Sequence, residues 1–337
     1  PDLVILDITD PAFDALALTG QVSSAHSDLP LLVLYAQERE PAVTAFLAAG
    51  ATDFMCTPIR DPSLLARLAQ RNILLGSNLA RVAEKEVELE ALNRTLVENL
   101  RILERDQHAG FRVQESLMPQ TPYTVGRITF AHYLQPSLIL SGDFVDYFEL
   151  QDGRLLFFLA DVSGHGASSA FVTVLLKSLS RRLLREFDSL GFTGTASMLD
   201  WFNRELLACE LEQHSTMFLG LFDRDCESLQ YSNAAHFPAT ILSSAESTDY
   251  LEIGGLPLGL YKGASYTEST ALLPDQCSLV LFSDGVFEIL PQATLEAKEK
   301  HLLSVVKCQQ LEKDLSGLVD GLVDDLGVLS ASAIPDD

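Results

Sequence analysis

The 337 residues, 47% of them hydrophobic and carrying a formal net charge of −24, are enough for two domains and a connector and have a globular composition. A chain this acidic has no basic patch to displace counterions from nucleic acid, and it is repelled by an anionic membrane. Phosphate chemistry on such a surface needs cations held locally.

Residues 1–60 alternate short apolar runs with helical stretches. Leu3–Leu6, Leu31–Leu34 and Asp53–Cys56 read as buried strands, with helices over Phe13–Ser24 and Pro41–Ala49, the second ending at Gly50. That order predicts a doubly wound parallel sheet whose ligands gather at strand C-termini, where Asp7 lies. From 61 to 118 the pattern changes. Leu75, Val82, Leu89, Leu96 and Leu103 recur every seven residues, aided by Leu79, Leu92 and Leu100 and flanked by mixed charges. Sustained heptads predict a long helical coiled coil, and hence a homodimer. Beyond Pro119 and Pro122, β-type runs cover Arg127–Leu134, Leu155–Leu159, Phe218–Phe222, Leu229–Ser232, Ala239–Leu242 and Ser278–Phe282. Helical patterns fill Ser168–Asp188, Thr195–Glu212 and His301–Leu326, which together predict an α+β layered domain. The expected division is 1–65, 66–118 and 119–337.

Cys56, Cys209, Cys226, Cys277 and Cys308 are isolated and lack zinc-type spacing, as expected of free thiols in a cytoplasmic protein. No run approaches the roughly 18 uncharged apolar residues of a membrane span, and no signal peptide opens the chain. It begins at Pro1 inside a strand-like run, and so reads as a fragment cut at its N-terminus.

The chemistry concentrates in aspartates beside glycines. Ser141-Gly142-Asp143-Phe144-Val145-Asp146, Asp161-Val162-Ser163-Gly164-His165-Gly166, Ser283-Asp284-Gly285 and Asp336-Asp337 adjoin apolar runs or follow a proline. Carboxylates without histidine or cysteine partners suit hard cations such as Mg²⁺ or Mn²⁺. Two ions held close together need one bridging carboxylate, here Asp161, with the Val162 carbonyl as a neutral ligand; Asp143 and Asp284 would anchor from neighbouring strands. The arrangement predicts a two-metal phosphatase. Taken singly, Ser283-Asp284-Gly285 is a turn, Asp143 a loop carboxylate or cap, and His165 a turn histidine.

Residues 111–337 resemble the SpoIIE-type branch of the metal-dependent PPM protein serine/threonine phosphatases. The matching stretches are Val113-Gln114…Leu117-Met118-Pro119, the first three aspartate motifs above, Asn233-Ala234-Ala235-His236-Phe237-Pro238, Gly255-Leu256-Pro257-Leu258-Gly259 and Pro335-Asp336-Asp337. The resemblance implies an αββα four-layer fold and Mn²⁺- or Mg²⁺-dependent hydrolysis of phosphoserine or phosphothreonine on a protein. It carries the metal aspartates to Asp143, Asp161 with the Val162 carbonyl, Asp284 and Asp336, with Asp324 as a rival for the last. Ser141 and Ala235 replace glycines of the family pattern.

Residues 1–60 resemble the second half of a response-regulator receiver domain, through Pro1–Ile8, Ala49–Phe54 and Pro58, with Asp7 as phosphoacceptor for a histidine kinase. Tyr35 takes the usual Ser/Thr switch position and Thr57 the usual lysine. The whole order resembles RssB-type response regulators. It implies a phosphorylated anti-sigma-factor antagonist as substrate, while a non-catalytic adaptor on the same fold is the other expectation.

Overall fold

The first strand, β1 (Val4–Asp7), leads through α1 (Ala15–Ala25) to β2 (Leu31–Ala36). A 3-10 turn and α2 (Val43–Ala48) then lead to β3 (Asp53–Thr57). The three strands form a parallel sheet with β2 central. Leu31, Leu32 and Val33 of β2 are almost wholly buried, as befits a parallel strand covered on both faces. Asp14 caps α1 by accepting the Ala17 N–H at 3.0 Å. Gly50 ends the second helical stretch as expected, at φ +101°, where a Cβ would lie 2.1 Å from Ser23 Oγ.

A computed structural model describes residues 1–9, 14–309 and 315–328, and the chain falls into two units, Pro1–Ile102 and Leu103–Asp337. Phe13, the expected start of the first helix, lies outside the described residues. The heptad segment is a single helix, α3 (Pro62–Leu117), on which Leu75, Leu79, Val82, Leu89, Leu92, Leu96, Leu100 and Leu103 are all exposed.

In the second unit a hairpin of β4 (Tyr123–Val125) and β5 (Ile128–Phe130) replaces the single strand expected over Arg127–Leu134. Gly126, at φ +56°, supplies the left-handed residue that a two-residue hairpin loop needs. β6 (Asp143–Glu149) and β7 (Leu155–Val162) follow, then α4 (Ala167–Leu190), α5 (Thr195–Ala208), β8 (Ser215–Phe222) and β9 (Ser228–Ala234). Next come β10 (Ile241–Ser244), β11 (Thr248–Tyr250), β12 (Ser269–Leu272) and β13 (Cys277–Val280). The chain continues in α6 (Gly285–Ile289), α7 (Leu295–Gln309) and α8 (Leu315–Asp325). The one helical stretch expected over His301–Leu326 is thus described as two helices, with residues 310–314 outside the description.

The strands make two antiparallel sheets, ordered β12-β9-β8-β7-β6 and β11-β10-β13. Alternation along each strand divides the large sheet's side chains between two cores. Phe144, Leu156 and Phe158 pack with Leu176, Leu183 and Phe202 of α4 and α5. Tyr147, Phe157, Phe218 and Phe222 face the other way, among Phe130, Leu279 and Leu281. A third cluster joins Ile241 and Val280 to α6, α7 and α8. No helix among the described residues is long and apolar enough to cross a membrane.

Candidate functional site

Antiparallel register brings the first two aspartates together. Asp143 opens β6 and stands directly opposite Asp161 near the end of β7, so both carboxylates project from the same face of the sheet. Asp143 is buried and Asp161 half-buried. The Val162 N–H donates to the Gly142 carbonyl at 3.2 Å. A Cβ on Gly142 would sit only 2.8 Å from the Val162 carbonyl oxygen. Glycine therefore keeps clear the space beside the one backbone oxygen expected to act as a ligand. Ser141 Oγ accepts the Asp143 N–H at 2.9 Å, a bond that the family's glycine could not make. Behind Asp161, Ser215 Oγ donates to the Asp161 carbonyl at 3.0 Å, and Ser163 and His214 exchange two bonds of 2.9 and 3.0 Å. Gly164 and Gly166, both at positive φ, turn the chain into α4, and His165 is exposed between them.

Asp284 arrives differently from expectation. It lies on the turn between β13 and α6, and β13 belongs to the smaller sheet, so it does not come from a strand neighbouring Asp143. Asp143, Ser283 and Gly285 nevertheless line one cavity of about 420 Å³. Asp284 is exposed and stands in sequence between two of these residues, but does not itself line the cavity. Among the described residues, no three His, Cys, Asp or Glu side chains gather closely enough to hold a metal ion. Asp336 lies outside the described residues, and its rival Asp324 is exposed on α8. The donors brought together are two carboxylates and a cleared carbonyl. All are oxygen, which fits a hard divalent cation and disfavours zinc.

The segment 233–236 lies beside Phe282, two residues before Asp284. Asn233 Nδ2 donates to the carbonyls of His236 at 3.1 Å and Ile253 at 3.0 Å, and its Oδ1 accepts the His236 N–H at 2.7 Å. Gly255 crosses so closely that a Cβ there would fall 1.9 Å from the Asn233 carbonyl oxygen. His236 is buried, and among the described residues neither ring nitrogen has a hydrogen-bond partner of good geometry. Burial lowers its pKa to about 4, offset in part by the Phe282 backbone beside it. Ala235 is held at φ +58°, where a Cβ is strained. Ala235→Gly should therefore stabilise the protein by about 1 kcal/mol, read as a raised urea midpoint; an unchanged or lower midpoint would count against strain at this turn.

At the other end of the chain, Asp7 is exposed at the C-terminal end of β1, and its Oδ1 accepts the Thr9 N–H at 2.9 Å. Thr57, in the lysine's place, donates its hydroxyl to the Tyr35 carbonyl at 3.1 Å. Sequence reasoning gave no role to Asp146. Three residues beyond Asp143, it faces the opposite side of the sheet, where Lys177 Nζ donates to both its oxygens at 2.9 and 3.0 Å and Ser180 Oγ to one at 2.5 Å. The period of two along a strand was the available signal.

The family model described as Stage II sporulation protein E (SpoIIE) matches residues 151–337. The chain is similar to the phosphoserine phosphatase RsbP of Bacillus subtilis (strain 168), with 25% identity over 186 residues, 55% of this chain and 45% of RsbP. It thus spans about half the length of that relative. It is similar to the Regulator of RpoS of Escherichia coli (strain K12), with 22% identity over 267 residues, 77% of this chain and 74% of that protein. The structure of the SiaA-PP2C domain of Pseudomonas aeruginosa covers 70% of this chain and 94% of its own at 18% identity, with a TM-score of 0.59. At that identity the likeness is one of fold.

Proposed function

The chain belongs to the SpoIIE family, its phosphatase-type domain preceded by a receiver-like region, and from that membership we propose a receiver-regulated, metal-dependent protein serine/threonine phosphatase. The observation that carries the reading is the opposition of Asp143 and Asp161 across β6 and β7, with Gly142 clearing the Val162 carbonyl beside them. Asp143, Asp161, the Val162 carbonyl and Asp284 would hold two Mn²⁺ or Mg²⁺ ions, joined by Asp336, which the family resemblance adds. Bound there, such ions would supply charge neutralisation for a phosphoryl group and a water of lowered pKa. The protein's own part is positional. β-pairing fixes the spacing of the two carboxylates, the Ser163–His214 bonds hold the turn after Asp161, and the β13–α6 turn that carries Asp284 contributes Ser283 and Gly285 to the cavity that Asp143 lines.

In this reading the domains are 1–65, 66–118 and 119–337, the last a four-layer αββα unit. Its substrate is a phosphoserine or phosphothreonine on a cytoplasmic partner of the anti-sigma-factor-antagonist kind. A histidine kinase acts on Asp7, and two copies join along the exposed leucine seam of α3. A non-catalytic adaptor is the second reading, favoured by the lack of a three-carboxylate cluster among the described residues. Phosphate release from a phosphoserine peptide decides between them. The phosphatase reading expects turnover with Mn²⁺ that chelator abolishes, in a species sedimenting at twice the 36.9 kDa chain mass. Absent turnover favours the adaptor, and metal-independent turnover overturns both readings.

A further inference from the structure

Lys298, one turn into α7, is half-buried, and nothing in the proposed chemistry uses its charge. Its Nζ donates to the carbonyl of Phe287 in the short helix α6. That carbonyl needs an outside partner. In a longer helix it would accept from residue 291, but that residue is Pro291, which has no N–H. A cationic side chain is a favoured donor to carbonyls left open at a helix end. Lys298 is itself fixed in place, because the Tyr250 hydroxyl of β11 donates to the Glu299 carbonyl at 2.9 Å and ties α7 to the smaller sheet.

Phe287 is held on its ring as well. Phe237 packs against it with ring centroids 5.1 Å apart, and since Phe287 is buried and Phe237 is exposed, the outer ring covers the inner one. The chain behind Phe237 is pinned, for Asn233 Oδ1 accepts the His236 N–H at 2.7 Å. His236 lies beside the Phe282 backbone, so the pair 236–237 touches the chain on both sides of Asp284. Within the turn, the Phe287 N–H donates to the Asp284 carbonyl at 2.9 Å and the Val286 N–H to Ser283 at 3.3 Å. Five residues cannot keep a helix by themselves. Val286, Phe287 and Leu290 bury one face of α6, but apolar burial is non-directional and does not set where its first turn stands. The directional contacts, from Lys298 and Phe237, converge on the residue whose N–H holds Asp284.

We propose that Lys298 and Phe237 are positioning residues, bracing Phe287 and so holding Asp284 where it can serve as a ligand. The inference rests on the phosphatase reading for the role of Asp284, but the brace itself does not. The test uses the full chain with Lys298→Met, which keeps the stem and loses the ammonium, with Phe237→Ala at an exposed position, and with Asp284→Asn alone and combined with each. Mn²⁺ binding is measured by calorimetry, and amide exchange by mass spectrometry on peptides covering 281–290 and 215–222. Lys298→Met and Phe237→Ala should each bind Mn²⁺ about tenfold more weakly than the parent, as when a contact behind a metal ligand is lost. Neither should weaken binding further on the Asp284→Asn background, because both act through that side chain. Exchange should quicken in 281–290 and stay unchanged in 215–222. Parental affinity in either folded variant overturns the positioning role of that residue, and so does an equal further loss on the Asp284→Asn background. If the parent takes up no Mn²⁺, or Asp284→Asn leaves uptake unaltered, the reading of Asp284 as a ligand fails, and exchange alone decides: a 281–290 peptide unaltered in either variant overturns the brace, and one quickened in both upholds it.

Discussion

Replacing Asp161 by alanine should lower Mn²⁺-dependent hydrolysis of p-nitrophenyl phosphate by roughly 10³-fold or more while leaving the fold intact. The size follows from its proposed role: opposite Asp143 in register and next to the Val162 carbonyl, it would be the carboxylate shared by the two ions. Losing a bridging carboxylate removes several kcal/mol of charge stabilisation from the transition state, and each 1.36 kcal/mol is about tenfold in rate. The fold should persist because Asp161 is only half-buried and Ser215 binds its backbone carbonyl, which alanine retains. Asp161→Asn, which keeps the shape and loses the charge, should be nearly as inactive. A variant within tenfold of the parent, at equal circular dichroism, would remove Asp161 from the chemistry and with it the two-ion reading.

The second large effect is on stability and comes from His236. In the folded protein its imidazole, buried beside Phe282, has its pKa lowered to about 4, and unfolding restores the ordinary value near 6.5. Above pH 6.5 both states are neutral and the residue adds no pH dependence. Between about 6.5 and 4 the unfolded chain takes up a proton that the folded chain refuses, so stability falls as the solution is acidified. The loss from this residue should reach about 2–3 kcal/mol by pH 4.5. Urea titrations at pH 7 and pH 4.5 on the parent and on His236→Gln isolate it, since the other groups titrate alike in both. The glutamine variant should lose that much less on acidification; equal losses would mean the imidazole is hydrated in the native state.

How much of this was legible in the sequence depended on whether the signal was periodic. The heptads of α3 and the apolar run of β2 announced themselves, because burial or its absence repeats along the element. The hairpin of β4 and β5 did not, since Gly126 is a single residue and apolar side chains continue on both sides of it. Asp143 and Asp161 were recognisable by their glycines, and Gly142 and Gly164 prove to be needed for close approach and positive φ respectively. Their opposition across two strands was not legible, because register is set by pairing rather than by composition. Asp284 was read onto a strand but occupies the turn before α6, where the apolar run of β13 has already ended. Lys298 and Phe287 lie on different helices, and a side-chain ammonium bonding a backbone carbonyl across helices leaves no periodic pattern.

The order of the large sheet carries a consequence of its own. Among the described residues β6 lies at the rim of that sheet, hydrogen-bonded to β7, whereas Asp161 sits on an interior strand between β6 and β8. One half of the carboxylate pair is thus anchored by backbone ladders on both sides, and the other by a ladder on one side and the core packing of Phe144 and Tyr147. Catalytic competence and thermal endurance can then vary separately. A collection of variants sorted only by melting temperature would pass over many silent ones.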